Sequence, residues 1–94
     1  MKMKVIDRVR KALEQVIDPE TGQSVVKMNM VKKLILEAGH CRIEFQPTSP
    51  VCPLAFKLSK EIVFAILAVE GAEGVSIKVL NHIHSNTIEQ LFNS

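Results

Sequence analysis

Cys41-Arg42-Ile43-Glu44-Phe45-Gln46 alternates apolar and polar side chains without a break. Successive side chains of an extended chain point to opposite faces, so Cys41, Ile43 and Phe45 share one side and Arg42, Glu44 and Gln46 the other. The pattern predicts a strand with one side in a core and one in water. Beyond Thr48-Ser49-Pro50-Val51-Cys52-Pro53 the period changes: Leu54, Leu58, Ile62, Ala65, Ile66 and Val69 recur at steps of three and four. That is the spacing of one buried helical face.

Working outward from this pair, Ala38-Gly39-His40 reads as a turn and residues 31–38 as a second, β-branched and aliphatic strand, giving a β-hairpin. Asn29 tolerates a positive backbone angle, so a bend is expected there. Residues 24–27 read as a short strand or an extended lead-in. Before them, Asp18-Pro19-Glu20-Thr21-Gly22 forms a turn with two neighbouring carboxylates, for which a solvated loop is the plain reading. Val5, Ile6, Val9, Ala12, Leu13 and Val16 mark a first amphipathic helix, which ends near Ile17 because Asp18 precedes a proline.

Toward the C-terminus the second helix runs to Gly71, a suitable residue just past a helix end. Residues 75–79 alternate again as a strand, with Val75, Ile77 and Val79 inward. Residues 81–86 read as loop or fraying strand, and Ile88, Leu91 and Phe92 close the chain in a short helical turn. Two helices with one apolar stripe each need a shared sheet face to cover. The expected fold is α+β: a two-layer sandwich in the order α-β-β-α-β, both helices on one face of a small mixed or antiparallel sheet.

The 94 residues fit one domain, residues 1–94. Aromatic residues are 4% of the chain, with no Trp or Tyr, so the core is aliphatic and base stacking is poorly supported. A net charge of +2 with both signs scattered gives no electrostatic reason to expect nucleic acid. Two cysteines without a secretory signal argue for free thiols in a reducing compartment, and no stretch is apolar enough to span a membrane. A soluble, cytoplasmic protein is expected.

The chemistry concentrates at residues 48–53. Pro53 suits the first helical position, which puts Cys52 at or beside the N-cap, facing unpaired amides and the positive end of the helix dipole. A thiol there ionises more easily, and the thiolate is the form that binds metal or attacks an electrophile. Thr48 and Ser49 add hydroxyls nearby. The competing reading is a small buried hydrophobe, and it is the expected role of Cys41 beside Ile43 and Phe45.

His82 and His84, two apart, could join Cys52 as metal ligands, although a histidine pair in a polar loop is more often simply solvated. No CxxC occurs, so one chain cannot supply four thiolates. Any cluster or iron at Cys52 therefore needs a second subunit, a partner or a small thiol to complete its shell. A thiol enzyme with Cys52 as nucleophile and His82 or His84 as base stays open, as does a metal-free interaction module with Cys52 inert.

Asp18-Pro19-Glu20 after a first helix, Val25-Val26 leading to Asn29-Met30-Val31, and the run Thr48 to Pro53 before a second helix together resemble the SufT/PaaD-type, or MIP-eighteen-like, domain family. The resemblance covers about residues 5–79. It implies a fold related to the C-terminal domain of NifU-type scaffolds, and an accessory, non-catalytic role in iron–sulfur cluster assembly or delivery. It makes Cys52 the metal-binding residue, with Asp18, Pro19, Glu20, Thr48, Ser49 and Pro53 as motif and partner-binding positions. Cluster or iron would be held transiently and completed by a partner or second subunit. Implied partners are other iron–sulfur assembly proteins and apo-protein clients, with a homodimer also open. The family commonly has Gly at the place of Asn29, and a Pro-Pro-Trp-like segment where this chain has residues 81–86.

Overall fold

The central strand β2 (His40–Phe45) buries Cys41, Ile43 and Phe45 and turns Arg42 outward, as its alternation requires. The computed structural model describes residues 4–19, 21–47 and 54–93. On one side β2 pairs antiparallel with β1 (Val31–Glu37), in a register that sets Leu34 opposite Ile43 and Leu36 opposite Cys41. A bulge between Val31 and Lys33 shifts the register near the start of β1. On the other side β2 pairs parallel with β3 (Gly74–Val79), Ile43 beside Ile77 and Phe45 beside Val79. The sheet is thus mixed, in the order β1-β2-β3.

The antiparallel connection is a two-residue turn, Ala38-Gly39, with φ of 50° and 84°. Positive φ at both central positions is the type I′ geometry that matches strand twist. Gly39 adopts it freely, whereas Ala38 carries a steric cost. The parallel connection needs a crossover, supplied by α2 (Ala55–Leu67). Its face of Ala55, Leu58, Ile62, Val63 and Ile66 joins Ile43, Phe45, Ile77 and Val79 in one core cluster. The helix α1 (Val5–Leu13) packs beside α2 and adds Val9 and Leu13 to that cluster. Gly71 lets the turn after α2 approach the start of α1: a Cβ there would stand 2.8 Å from Val5 Cγ2, and its φ is 98°.

The expected α+β class holds, and several boundaries move. The first helix ends at Leu13, earlier than Ile17, and continues as tight turns with Val16 N–H on Leu13 O at 3.0 Å. Residues 24–27 are not a strand beyond an isolated bridge from Ser24 to Ile17. They form one helical turn. The Ser24 hydroxyl accepts the Val26 N–H at 3.1 Å, and Met28 N–H reaches Ser24 O at 3.0 Å. That turn closes with Met30 N–H on Val25 O and Asn29 N–H on Val26 O, Asn29 standing at φ 58°. This is a Schellman ending, in which asparagine serves where glycine is commoner. The second helix stops at Leu67, and Gly71 instead ends the turn that follows it.

The larger correction is a third helix, α3 (Ser85–Asn93), where only a short closing turn was expected. It takes Ser85 and Asn86 out of the loop and extends the order to α-β-β-α-β-α. α3 lies along β3 and inserts Ile88 into the core. Its Glu89 carboxylate accepts the Val79 N–H at 3.0 Å. An edge strand presents unpaired amides that invite another chain, and here a side chain takes up one of them.

Replacing Ala38 by Asn keeps the turn and lowers the cost of its positive φ. Ala38→Asn is expected to raise the free energy of unfolding by about 1 kcal/mol, measured by denaturant titration. A loss of stability would contradict the turn geometry.

Candidate functional site

Leu54 is the first described residue after the Thr48–Pro53 run, and it occupies the N-cap of α2 in helical geometry (φ −88°, ψ 0°). Being apolar, it offers no side-chain acceptor, and the first turn holds no carboxylate. By helix geometry the amides of a first turn have no carbonyl partner within the helix, and the dipole makes that end positive. The start of α2 is therefore an electropositive helix end that its own first turn leaves uncompensated. Thr48, Ser49, Cys52 and Pro53, and Glu20 on the earlier loop, lie outside the described residues. α2 is described from Ala55, with Leu54 before it.

Both ends of the run are anchored. Gln46 donates its N–H to Met30 O at 2.7 Å and Pro47 is buried. On the far side Leu58 N–H reaches Leu54 O at 2.8 Å. The run thus joins the end of the central strand to the start of the crossover helix. In a parallel β-α-β unit this is the carboxyl end of the strands, where such folds commonly place ligands.

Asp18 departs from the solvated-loop reading: it is 2% exposed. Its backbone closes the loop from both sides, N–H to Gln23 O at 2.9 Å and O from Gly22 N–H at 2.7 Å. Pro19 is exposed. The backbone of this buried residue closes the turn, which gives Asp18 a structural role whatever else it does.

His82 and His84 come to the start of α2. The His84 ring lies 6.1 Å from that of Phe56, on the first turn, and 5.8 Å from that of His82. His82 is buried, and its Nδ1 accepts the His84 N–H at 3.0 Å. An accepting ring nitrogen has its lone pair in use, so in neutral His82 the proton sits on Nε2. In this arrangement neither nitrogen offers a lone pair to a metal. Ligation by His82 requires that the bond to His84 be broken. His84 is exposed and carries no such constraint. Among the described residues no group of three His, Cys, Asp or Glu side chains could hold a metal ion.

Cys41 is a core residue, as its strand position predicted: it is fully buried, and burial pushes its thiol from 9.0 up to about 11. Sequence reasoning missed Phe56, whose exposed ring lies beside that of His84, and Glu89 at the sheet edge. For Glu89 the signal was present in Ser85-Asn86-Thr87, cap-forming residues ahead of Ile88, Leu91 and Phe92 at helical spacing. None of the described helices is long and apolar enough to cross a membrane.

Comparison with known proteins places this geometry. The model of a family described as "Iron-sulfur cluster assembly protein" matches residues 6–79, most of the chain. A curated relative from Synechocystis sp., named an iron-sulfur cluster carrier protein, is 31% identical over 77 residues, 82% of this chain and 22% of that protein. The chain therefore spans about a fifth of that carrier's length. Among solved structures, a domain of unknown function from Bacillus anthracis matches at TM-score 0.76 and 23% identity, over 81% of this chain and 74% of that one, a likeness of fold. A Mycobacterium tuberculosis protein, titled as associated with [Fe-S] complex assembly and repair, matches at TM-score 0.58 and 25% identity, over 81% and 67%.

The raised Cys41 value has a definite consequence. The folded state holds the Cys41 proton more tightly than the unfolded state, so the stabilisation is complete below about pH 9 and is lost as pH rises toward about 11. Alkaline unfolding in that window is expected to shrink in Cys41→Ala, followed by circular dichroism. In Cys52→Ser, native Cys41 should react with a thiol probe at pH 8 about a hundredfold more slowly than a free cysteine. Labelling at the free-thiol rate would contradict the burial.

Proposed function

The chain belongs to the iron–sulfur cluster assembly protein family, and we propose that it is an accessory factor that binds a cluster or iron and passes it to apo-proteins. The observation that carries this reading is the family match over residues 6–79. The cluster is cargo, and Cys52 supplies the thiolate that contacts it. A thiolate is a soft ligand suited to iron–sulfur units, and the positive end of α2 favours the anion. The electropositive, acid-free first turn supports this assignment.

One thiolate cannot enclose a cluster. A site at Cys52 is therefore finished by another molecule, a partner or a second subunit. Such sharing suits delivery, because an acceptor's cysteines can replace the donor's ligands one at a time. Pro19 and Glu20, with Thr48, Ser49 and Pro53, are the positions at which assembly proteins or clients engage the chain, and the buried Asp18 closes the loop that carries the first two. The setting is the cytoplasm, and the action is binding without turnover. The use of His82 Nδ1 in a backbone hydrogen bond weakens the form of the rival thiol-enzyme reading in which His82 is the base, leaving His84 for that role.

Anaerobic reconstitution tests the assignment. Wild type and Cys41→Ala are expected to retain iron and sulfide after desalting, and Cys52→Ser to lose at least nine-tenths of both, about a tenfold change in occupancy. Equal retention by wild type and Cys52→Ser would remove Cys52 as a ligand.

A further inference from the structure

The outer face of the sheet, opposite α1 and α2, is laid out by the strand register. Lys33, Glu44 and Lys78 stand side by side across β1, β2 and β3, and Ile35, Arg42 and Ser76 form the next row. Neighbouring strands lie about 4.8 Å apart, and successive residues of one face about 6.7 Å apart along each strand. Six side chains thus share one small patch. Between them is a concavity of about 310 Å³, with Glu89 at its β3 side. That is the lower end of ligand pockets, which run on the order of 300–1,000 Å³. It has room for one small molecule.

Charge is unevenly matched over this patch. The lining holds three cations, Lys33, Arg42 and Lys78, against two carboxylates, Glu44 and Glu89. Glu44 sits between the two lysines, and Glu89 is turned onto the Val79 N–H at 3.0 Å. Arg42 has no carboxylate in its row, only an apolar side chain on one side and a hydroxyl on the other. Among the described residues it makes no ion pair. An exposed arginine is satisfied by water, so this alone marks nothing. The hydroxyl beside it adds a second observation.

That hydroxyl, on Ser76, is held from the rim of the concavity. His40 Nε2 stands 2.7 Å from Ser76 Oγ, and the imidazole lies over Gly74, where a Cβ would come within 2.8 Å of Nδ1. A side chain at position 74 would lift the ring off the sheet, whereas glycine lets it lie down and reach the hydroxyl. A hydroxyl both donates and accepts. When Nε2 carries the proton, Ser76 accepts from His40 and its own O–H is left to donate to a further acceptor.

We propose that this concavity binds a small organic oxyanion, a carboxylate or phosphate on an apolar body. Arg42 offers a planar fork of N–H donors, the geometry that pairs with two oxygens of either head group. Ser76 adds a donor beside the fork, pinned by His40. Lys33 and Lys78 raise the local potential, and the half-buried Ile35 on the other side of Arg42 gives the apolar body a wall. The surplus of one positive charge in the lining matches a singly charged head group. The site lies on the sheet face away from α1 and α2, and its ligand is held without Cys52.

Titration of the full isotope-labelled chain with benzoate, phenyl phosphate and benzyl alcohol, followed by amide NMR shifts at constant ionic strength, tests the proposal. Saturable shifts at Ile35, Arg42 and Ser76 are expected with benzoate or phenyl phosphate, the tighter of the two naming the head group. Benzyl alcohol, a similar ring without charge, should produce none. Arg42→Gln is expected to weaken binding about tenfold and Ser76→Ala about threefold, for the loss of a charge-assisted pair and of one hydrogen bond. Arg10→Gln, which removes an exposed cation from α1, should bind like wild type. The absence of saturable shifts with both anions overturns the proposal. So does binding of wild-type strength by Arg42→Gln, equal weakening by Arg42→Gln and Arg10→Gln, or benzyl alcohol binding as tightly as the anions.

Discussion

The burial of one side of β2 against α2 is the constraint from which the other features follow. β2 is the middle strand, hydrogen-bonded to a neighbour on each side, and Cys41, Ile43 and Phe45 sit fully or almost fully out of water. Slipping its register by one residue would carry Arg42 and Glu44 into the core, at a cost the small domain cannot absorb. With the register set, the end of β2 and the start of α2 are held in place. The run between them, residues 48–53, has both its entry and its exit defined by packing. Cys41 and Cys52 differ in their place in the chain. One faces the core from within the strand, and the other lies on the connection leaving it.

Much of this was legible in the sequence, where a side chain's role follows from its period. The alternation of residues 41–46 and 75–79, and the three-four spacing of Leu58, Ile62 and Ile66, reflect the packing faces directly. Asn29 was legible too, as a residue that accepts φ near 58°. What closes around it was not. Ser24-Val25-Val26 reads as extended by composition, yet the Ser24 hydroxyl and the Asn29 turn organise it as one helical turn between two buried anchors, Val25 and Met30. Local capping hydrogen bonds prevailed over β-propensity.

α3 was underestimated for a related reason. Its apolar residues are few, since it only edges the sheet, and its position depends on Glu89 reaching a strand amide that the sequence cannot reveal. The loop at Asp18 shows the same limit. Proline and glycine announce a turn, but nothing in Asp18-Pro19-Glu20-Thr21-Gly22 says that Asp18 is buried. The second helix that follows the Thr48–Pro53 run was legible from its three-four spacing. The placing of His84 against Phe56 depends on where β3 ends, which is a tertiary fact.

The sheet-and-helix frame thus fixes both ends of the run that carries Cys52, in a chain of the family described as iron–sulfur cluster assembly protein. The most direct test of the central claim is transfer. A reconstituted protein is mixed with an apo-ferredoxin and the arrival of the cluster is followed by visible circular dichroism. Loading by wild type and by Cys41→Ala, with at least a tenfold slower rate for Cys52→Ala, is the predicted result. Transfer by Cys52→Ala at the wild-type rate would contradict it.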